Sequence, residues 1–286
     1  MQLKIFNVEH GACAMVQPPA GLGALATLGP LAVIDCGDNT STGWTPSTYI
    51  RNHLRRTQID YLFVTNADQD HVSDLDGIVS SGINVNVLYR NPTPDAAILR
   101  IIKEAGGPLT SDMEQFLALH GRPALPAGFP TYAGLKGITY AVFYNQFPDF
   151  IDTNNLSLAV FLRYAGFKIL FPGDLEVAGW QKLLENPAFV AELRGTNILV
   201  ASHHGRESGL CTDIFDYFTP QAVVISDDSH QYDTQDTVAT YSYYVSGDGI
   251  AIQGSTTRRR VLTTRSDGNI LFRVGSESYT VETEHG

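Results

Sequence analysis

Residues 65–71, Thr65-Asn66-Ala67-Asp68-Gln69-Asp70-His71, constrain this chain more than any other stretch. They follow an apolar run at 59–64, whose length and β-branched or aromatic content predict a buried strand. A strand that ends in two carboxylates and an imidazole within four residues supplies the beginning of a metal site. Asp68 and Asp70 are expected to alternate on extended chain, with His71 where the chain turns toward a helix over 73–80.

The arrangement recurs. Apolar segments at 31–34, 167–171, 197–201 and 222–225 read as strands ending in Asp35-Cys36-Gly37, Gly173-Asp174, His203-His204-Gly205 and Asp227-Asp228. Taken singly, Pro-Gly-Asp is a turn and a His-His pair a surface feature or a capped helix start. Strand ends line one edge of a sheet, so groups far apart in sequence converge there, and their joint occurrence points to a metal-centred site. Asp35 is placed to brace a ligand histidine.

Further strands are expected at 2–8, 12–16, 25–28, 85–89, 138–144, 158–164, 250–253, 261–264 and 270–274. Helices are expected over 45–56, where Thr45 caps and Pro46 starts the first turn, and over 94–105, 111–120, 177–184, 187–193 and 236–245. Residues 121–137, rich in Pro and Gly, read as irregular.

Of the 286 residues, 43% are hydrophobic and 17% charged, which suits a compact globular protein. Three cysteines without a CxxC pair suggest a reduced, cytoplasmic protein lacking structural disulfides. No membrane association is expected: the N-terminus lacks a signal-peptide core, and Gly23, Gly29 and Pro30 interrupt the apolar stretch over 22–34. A net charge of −11 opposes bulk attraction to nucleic acid or anionic lipid. Arg258-Arg259-Arg260, with Arg265 and Arg273, reads mainly as a solvated strand face.

The order of these segments resembles the metallo-β-lactamase superfamily, and more closely the hydrolase domain attached to the DNA-uptake channel protein ComEC, with its stand-alone relatives. The counterparts are Asn7-Val8-Glu9-His10-Gly11-Ala12, Ile34-Asp35-Cys36-Gly37, residues 65–71, Asn154-Asn155-Leu156-Ser157, Gly173-Asp174, His203-His204-Gly205 and Asp267-Gly268. The resemblance covers about residues 2–275. It implies an α/β fold, an αββα four-layer sandwich of two mixed β-sheets flanked by helices. The chain is then a single domain over 1–286 with pseudo-halves of roughly 1–137 and 138–286.

Two departures stand out: Asn66 replaces the family's first motif histidine, and Asn7 and Ala12 replace the acids of the opening segment. Carried over by position, Asp70, His71, Asp174 and one of His203 and His204 form one firm metal site for Zn²⁺ or Mn²⁺. A second site, weak or absent, is left to Asp68, Asp174, Asn66 and Asn155, all oxygen donors. The resemblance implies a metal-dependent hydrolase of phosphodiester or phosphoester bonds, on a small-molecule or nucleic-acid substrate, through a metal-activated water. Asp68 and Asp70 are the catalytic acids on this reading. His204 or His203 donates a proton to the leaving group. His10 is a candidate substitute for the missing imidazole, and His230 and Asp233 are outer candidates. The alternative is a degenerate, non-catalytic member that serves as a binding or scaffold partner. No protein partner is indicated.

Overall fold

A computed structural model of the chain describes residues 1–18, 29–122, 134–229 and 235–285. The strand expected over 25–28, and His230 and Asp233, lie outside the described residues. The first five strands are β1 (Gln2–Ile5), β2 (Ala14–Gln17), β3 (Ala32–Ile34), β4 (Gln58–Phe63) and β5 (Asn84–Tyr89). The next five are β6 (Thr139–Tyr144), β7 (Leu158–Tyr164), β8 (Phe167–Phe171), β9 (Ile198–Val200) and β10 (Ala222–Ile225). The last are β11 (Ile250–Ala251), β12 (Arg258–Arg259), β13 (Val261–Thr263), β14 (Ile270–Val274) and β15 (Tyr279–Thr283).

They build a seven-stranded sheet in the order β15-β14-β1-β2-β3-β4-β5 and a six-stranded sheet in the order β13-β10-β9-β8-β7-β6, plus the pair β11-β12. Both large sheets are mixed. β3, β4 and β5 run parallel, as do β8, β9, β10 and β13, and the remaining neighbours are antiparallel.

Three apolar clusters define the layers. The period-two alternation of each strand sends Ala32, Ile34 and Phe63 inward, against Leu158, Val160, Leu162, Ile169 and Val224 of the other sheet. Their neighbours Val33 and Leu62 face the opposite way and pack on Ile50, Leu75, Ile78, Leu99 and Phe116 of the helices outside the first sheet. Ala159, Phe161, Leu170 and Val223 do the same against Trp180, Leu183, Phe189 and Tyr241 outside the second. Strands buried on both faces explain the near-continuous apolar runs of the sequence. Each fully buried Leu, Ile or Phe contributes roughly 1.5–3 kcal/mol. The result is the expected αββα order of layers.

Two differences from the sequence reading have local causes. The helix over 45–56 is a short α-turn, Pro46–Thr48, capped by Thr45 Oγ1, which continues as a wider π-turn at Tyr49–His53 that keeps Ile50 buried. The arginine run, read as a strand face, forms the two-residue β12, whereas β15 was not anticipated: its alternation of Tyr279 and Val281 with Thr280 and Glu282 is brief, and only Val281 is buried. No helix among the described residues is long and apolar enough to cross a membrane.

Candidate metal centre

Because β3 and β4 are parallel, and β8, β9 and β10 likewise, their C-terminal ends open on one edge of each sheet. The two edges are tied together: Leu158 N donates to Thr65 O at 2.6 Å, and Ser226 Oγ to Gly11 O at 2.9 Å. Asp35, residues 65–71, Asp174, the His203-His204 pair and Asp227 all follow these strand ends.

The helical turn after β4 begins earlier than the sequence suggested, at Gln69–Val72. Asp70 and His71 therefore sit about 100° apart on a helical turn, while Asp68 remains on extended chain before it. Two segments clamp this turn. Ala12 N donates to Asp70 O at 3.2 Å, Cys36 N to His71 O at 2.8 Å, and Gly37 N to Ala12 O at 2.9 Å. A Cβ on Gly11 or on Gly37 would stand 2.5 Å from the Asp70 carbonyl oxygen, so only glycine allows the clamp to close.

Asp70, His71, Asp174 and His204 converge, with one potential ligand atom from each within 4.8 Å of all the others. His71 Nε2 lies 3.1 Å from Asp174 Oδ1, and His204 Nε2 lies 3.2 Å from Asp70 Oδ2 and 3.6 Å from Asp174 Oδ1. Each ring is held by its other nitrogen. His71 Nδ1 faces Asp35 Oδ2 at 3.1 Å, and His204 Nδ1 faces the Ser226 carbonyl at 3.0 Å. A carbonyl only accepts, so His204 carries its proton on Nδ1 and turns Nε2 toward the cluster. Reaching that pose places both His203 (φ 50°) and His204 (φ 54°) in the left-handed region, a cost on the order of 1–2 kcal/mol per residue. Ser202 Oγ, donating to Leu175 O at 2.5 Å, and His203 N, donating to Gly173 O at 3.2 Å, pin the turn.

Electrostatically the four groups are interdependent. Burial opposes charge on all of them. Yet Asp174 and Asp35 hold His71 well above its ordinary pKa, and Asp174 and Asp70 raise His204. Burial likewise works against the two acids, but His71 and His204 pull Asp174 far down, and the same two rings lower Asp70. Two carboxylates facing two imidazoles form a set whose negative charge a divalent cation would balance.

The donor set fits such a cation. Ligand atoms 2.0–2.1 Å from a tetrahedral ion stand about 3.4 Å apart, and the separations of 3.1, 3.2 and 3.6 Å between the histidine nitrogens and the carboxylate oxygens bracket that spacing. The Nε2 atoms of His71 and His204 are both buried and make no hydrogen bond, although carboxylate oxygens lie within 3.2 Å. Both nitrogens face the same group of ligand atoms.

The other residues nominated by the sequence lie around this cluster and not in it. His203 turns away, with Nδ1 2.9 Å from Ser208 Oγ and 3.5 Å from Glu176 Oε1. Asn155 caps the helix Val177–Leu184, its Oδ1 accepting from Glu176 N (3.2 Å) and Gly179 N (2.9 Å), so its carbonyl is not available as a ligand. Asp68 is taken up by Lys103 Nζ and Thr153 Oγ1 on its Oδ1, and by Asn66 on its Oδ2. Asn66 presents its amide nitrogen, not its oxygen, to the acids. Lys103 carries no signal in the sequence. It ends an ordinary amphipathic helix, Ala96–Glu104, 35 residues from Asp68.

His10 is half-buried, with both ring nitrogens covered and unpartnered, and it feels the charges of Asp228, His204, Arg206 and Asp70. The arginine run stays outside. Arg258 donates to Gly249 O, Arg259 to Asp267, and Arg260 approaches Asp248. Of the five arginines named in that region, Arg265 reaches toward the site, through an ion pair with buried Asp227.

The chain matches no family profile. Over 173 residues, 59% of its length, it is 21% identical to ComE operon protein 3 of Bacillus subtilis (strain 168). The match covers 20% of that protein, so the chain spans about a fifth of this relative's length. YhfI of Bacillus subtilis, a metallo-β-lactamase fold protein, aligns over 94% of this chain and 98% of its own, at 12% identity and a TM-score of 0.48. Zn²⁺-bound PqqB from Methylobacterium extorquens aligns over 96% of this chain and 100% of its own, at 12% identity and a TM-score of 0.52. The chain shares the fold of PqqB, a metallo-β-lactamase-like αββα sandwich. In this metallo-β-lactamase fold the candidate metal centre occupies the edge where the parallel strands of both sheets end.

Proposed function

We propose that the protein is a metal-dependent hydrolase acting on phosphodiester or phosphoester bonds. The convergence of Asp70, His71, Asp174 and His204, with two unbonded imidazole nitrogens facing the same group of ligand atoms, is the observation that carries this reading. The resemblance of its motifs to the ComEC-attached hydrolase domain supports the phosphoester assignment, and the alignment with ComE operon protein 3 accords in part with that resemblance. Two histidines and two carboxylates suit Zn²⁺ or Mn²⁺.

Asp70, His71, Asp174 and His204 would hold a divalent cation, which when bound would supply an acidified water and a Lewis acid for the scissile group. Asp35 and the Ser226 carbonyl set the two imidazoles. His203, whose ring centre is 6.4 Å from that of His204, is the histidine left free to give a proton to the leaving oxygen. The net charge of −11 favours a small phosphoester over a long polyanion.

The test is hydrolysis of bis(p-nitrophenyl) phosphate and p-nitrophenyl phosphate by protein stripped of metal and reloaded with Zn²⁺ or Mn²⁺, beside a thioester and a lactone. Turnover of a phosphoester that disappears in His71→Ala supports the proposal. Turnover of only the thioester or lactone contradicts the substrate class. A second reading, a non-catalytic binding module, is favoured by the capture of Asp68 by Lys103. Metal uptake without turnover of any substrate supports that reading.

A further inference from the structure

Beside the four-residue cluster lies a second group of oxygens, and the chain meets it with one ammonium and its own neutral hydrogen-bond donors. Asp68 Oδ1 receives both Lys103 Nζ and Thr153 Oγ1, the latter at 2.9 Å. Asn66 Nδ2 stands among three oxygens, Asp174 Oδ2 at 3.0 Å, Asp68 Oδ2 at 3.1 Å and Asn154 Oδ1 at 3.3 Å. Turning the Asn66 amide over would set its carbonyl oxygen against those same three oxygens, so the network fixes its orientation. Its own Oδ1 is buried without a partner, the cost of directing the nitrogen inward. Lys103 reaches Asp68 from the last turn of the helix Ala96–Glu104, with its side chain about four-fifths covered (21% exposed).

We propose that Lys103 is a built-in counter-cation that takes the place of a second metal ion. Its ammonium occupies Asp68, and the Asn66 amide occupies the outer oxygen of Asp174, which limits the centre to one ion at Asp70, His71, Asp174 and His204. This rests on the reading of that cluster as a metal centre. The electrostatic logic is direct. Asp68 and Asp174 are joined through one amide, so removing all positive charge from the pocket leaves two carboxylates facing a single neutral group. In water a cation would be recruited. Here a lysine on a neighbouring helix supplies it without an ion from solution. Position 66 and position 103 are thereby coupled: a histidine at 66 restores a metal-binding nitrogen, but Asp68 becomes a ligand only when Lys103 releases it.

The experiment is a titration of chelator-stripped protein with Zn²⁺ and with Mn²⁺, read as ions bound per chain. Thermal unfolding runs alongside to confirm that each variant is folded. Lys103→Met keeps the apolar stem and removes the charge, and Asn66→His/Lys103→Met rebuilds the pocket. The wild type is expected to bind one ion. Lys103→Met should gain a second, weak one, and the double variant should hold that second ion about 10-fold or more tighter than Lys103→Met does. Two ions of similar affinity in the wild type would overturn the proposal, as would a single ion in Lys103→Met at millimolar metal. A wild type that binds no ion would overturn the metal centre itself, and this inference with it.

Discussion

Asp35 Oδ2 lies 3.1 Å from Nδ1 of His71, while Thr65 donates to the same carboxylate through its backbone nitrogen at 2.7 Å and its hydroxyl at 2.5 Å. One buried acid therefore fixes both the end of β4 and the orientation of a metal-facing imidazole. It does so from a left-handed backbone conformation (φ 56°). Asparagine tolerates that conformation, so Asp35→Asn preserves the turn while removing the negative charge behind His71. The variant should bind Zn²⁺ on the order of 10- to 100-fold more weakly, measured by competition with a coloured chelator. Unchanged affinity would show that His71 does not depend on Asp35.

The clamp on Asp70 gives a stability prediction. Gly37→Ala places a methyl carbon 2.5 Å from the Asp70 carbonyl oxygen and 2.9 Å from that of Ala12. Backbone must move to accept it, which should cost about 1–3 kcal/mol in urea unfolding and weaken metal binding as well. Gly106→Ala, where the nearest atom is 3.5 Å away, should be close to neutral.

Much of this was legible in the chain. The buried strands that deliver the site were visible as apolar runs, and β7, β8, β10 and β14 begin and end where the pattern predicted. Asp70, His71, Asp174 and the His203-His204 pair were visible because metal-competent side chains at strand ends are a local signal. What escaped notice depends on three-dimensional neighbours. Nothing in the spacing tells that Lys103 lands on Asp68, that Asn155 caps a helix, or that two consecutive left-handed residues send His204 inward and His203 outward. The ties of the arginine run to Asp267, Asp248 and the Gly249 carbonyl likewise cannot be read in one dimension.

The two adjacent histidines should therefore behave differently. His204→Ala removes a ligand and should lower metal affinity on the order of 100-fold or more. His203→Ala should leave the number of bound ions unchanged, with affinity within about 3-fold, and should act instead on turnover. Isothermal titration of both variants checks this, and equal losses in the two would contradict the geometry.

The pH dependence of folding carries a signature away from the cluster. Burial pushes Asp74 up from 3.8 to about 6, outweighing the hydrogen bonds it accepts from Ser47 N and Oγ. A carboxyl raised in the folded state contributes stability that is fully present below its unfolded pKa and is lost as pH rises through the folded one. From about pH 4 to about pH 6 the wild type should thus lose stability through this group, on the order of 2 kcal/mol. Asp74→Asn, which cannot ionise, should show a flatter profile over that window in urea melts. Parallel profiles for the two proteins would contradict the assignment.

The most direct measurement is the metal content of protein purified without chelator, before and after reloading with Zn²⁺ or Mn²⁺ and gel filtration. The account predicts one divalent ion per chain that survives the column, is lost in His71→Ala and His204→Ala, and is retained in His203→Ala. Protein that holds no ion under any loading, or that retains its ion when His71 and His204 are both replaced, would contradict a metal centre built from Asp70, His71, Asp174 and His204.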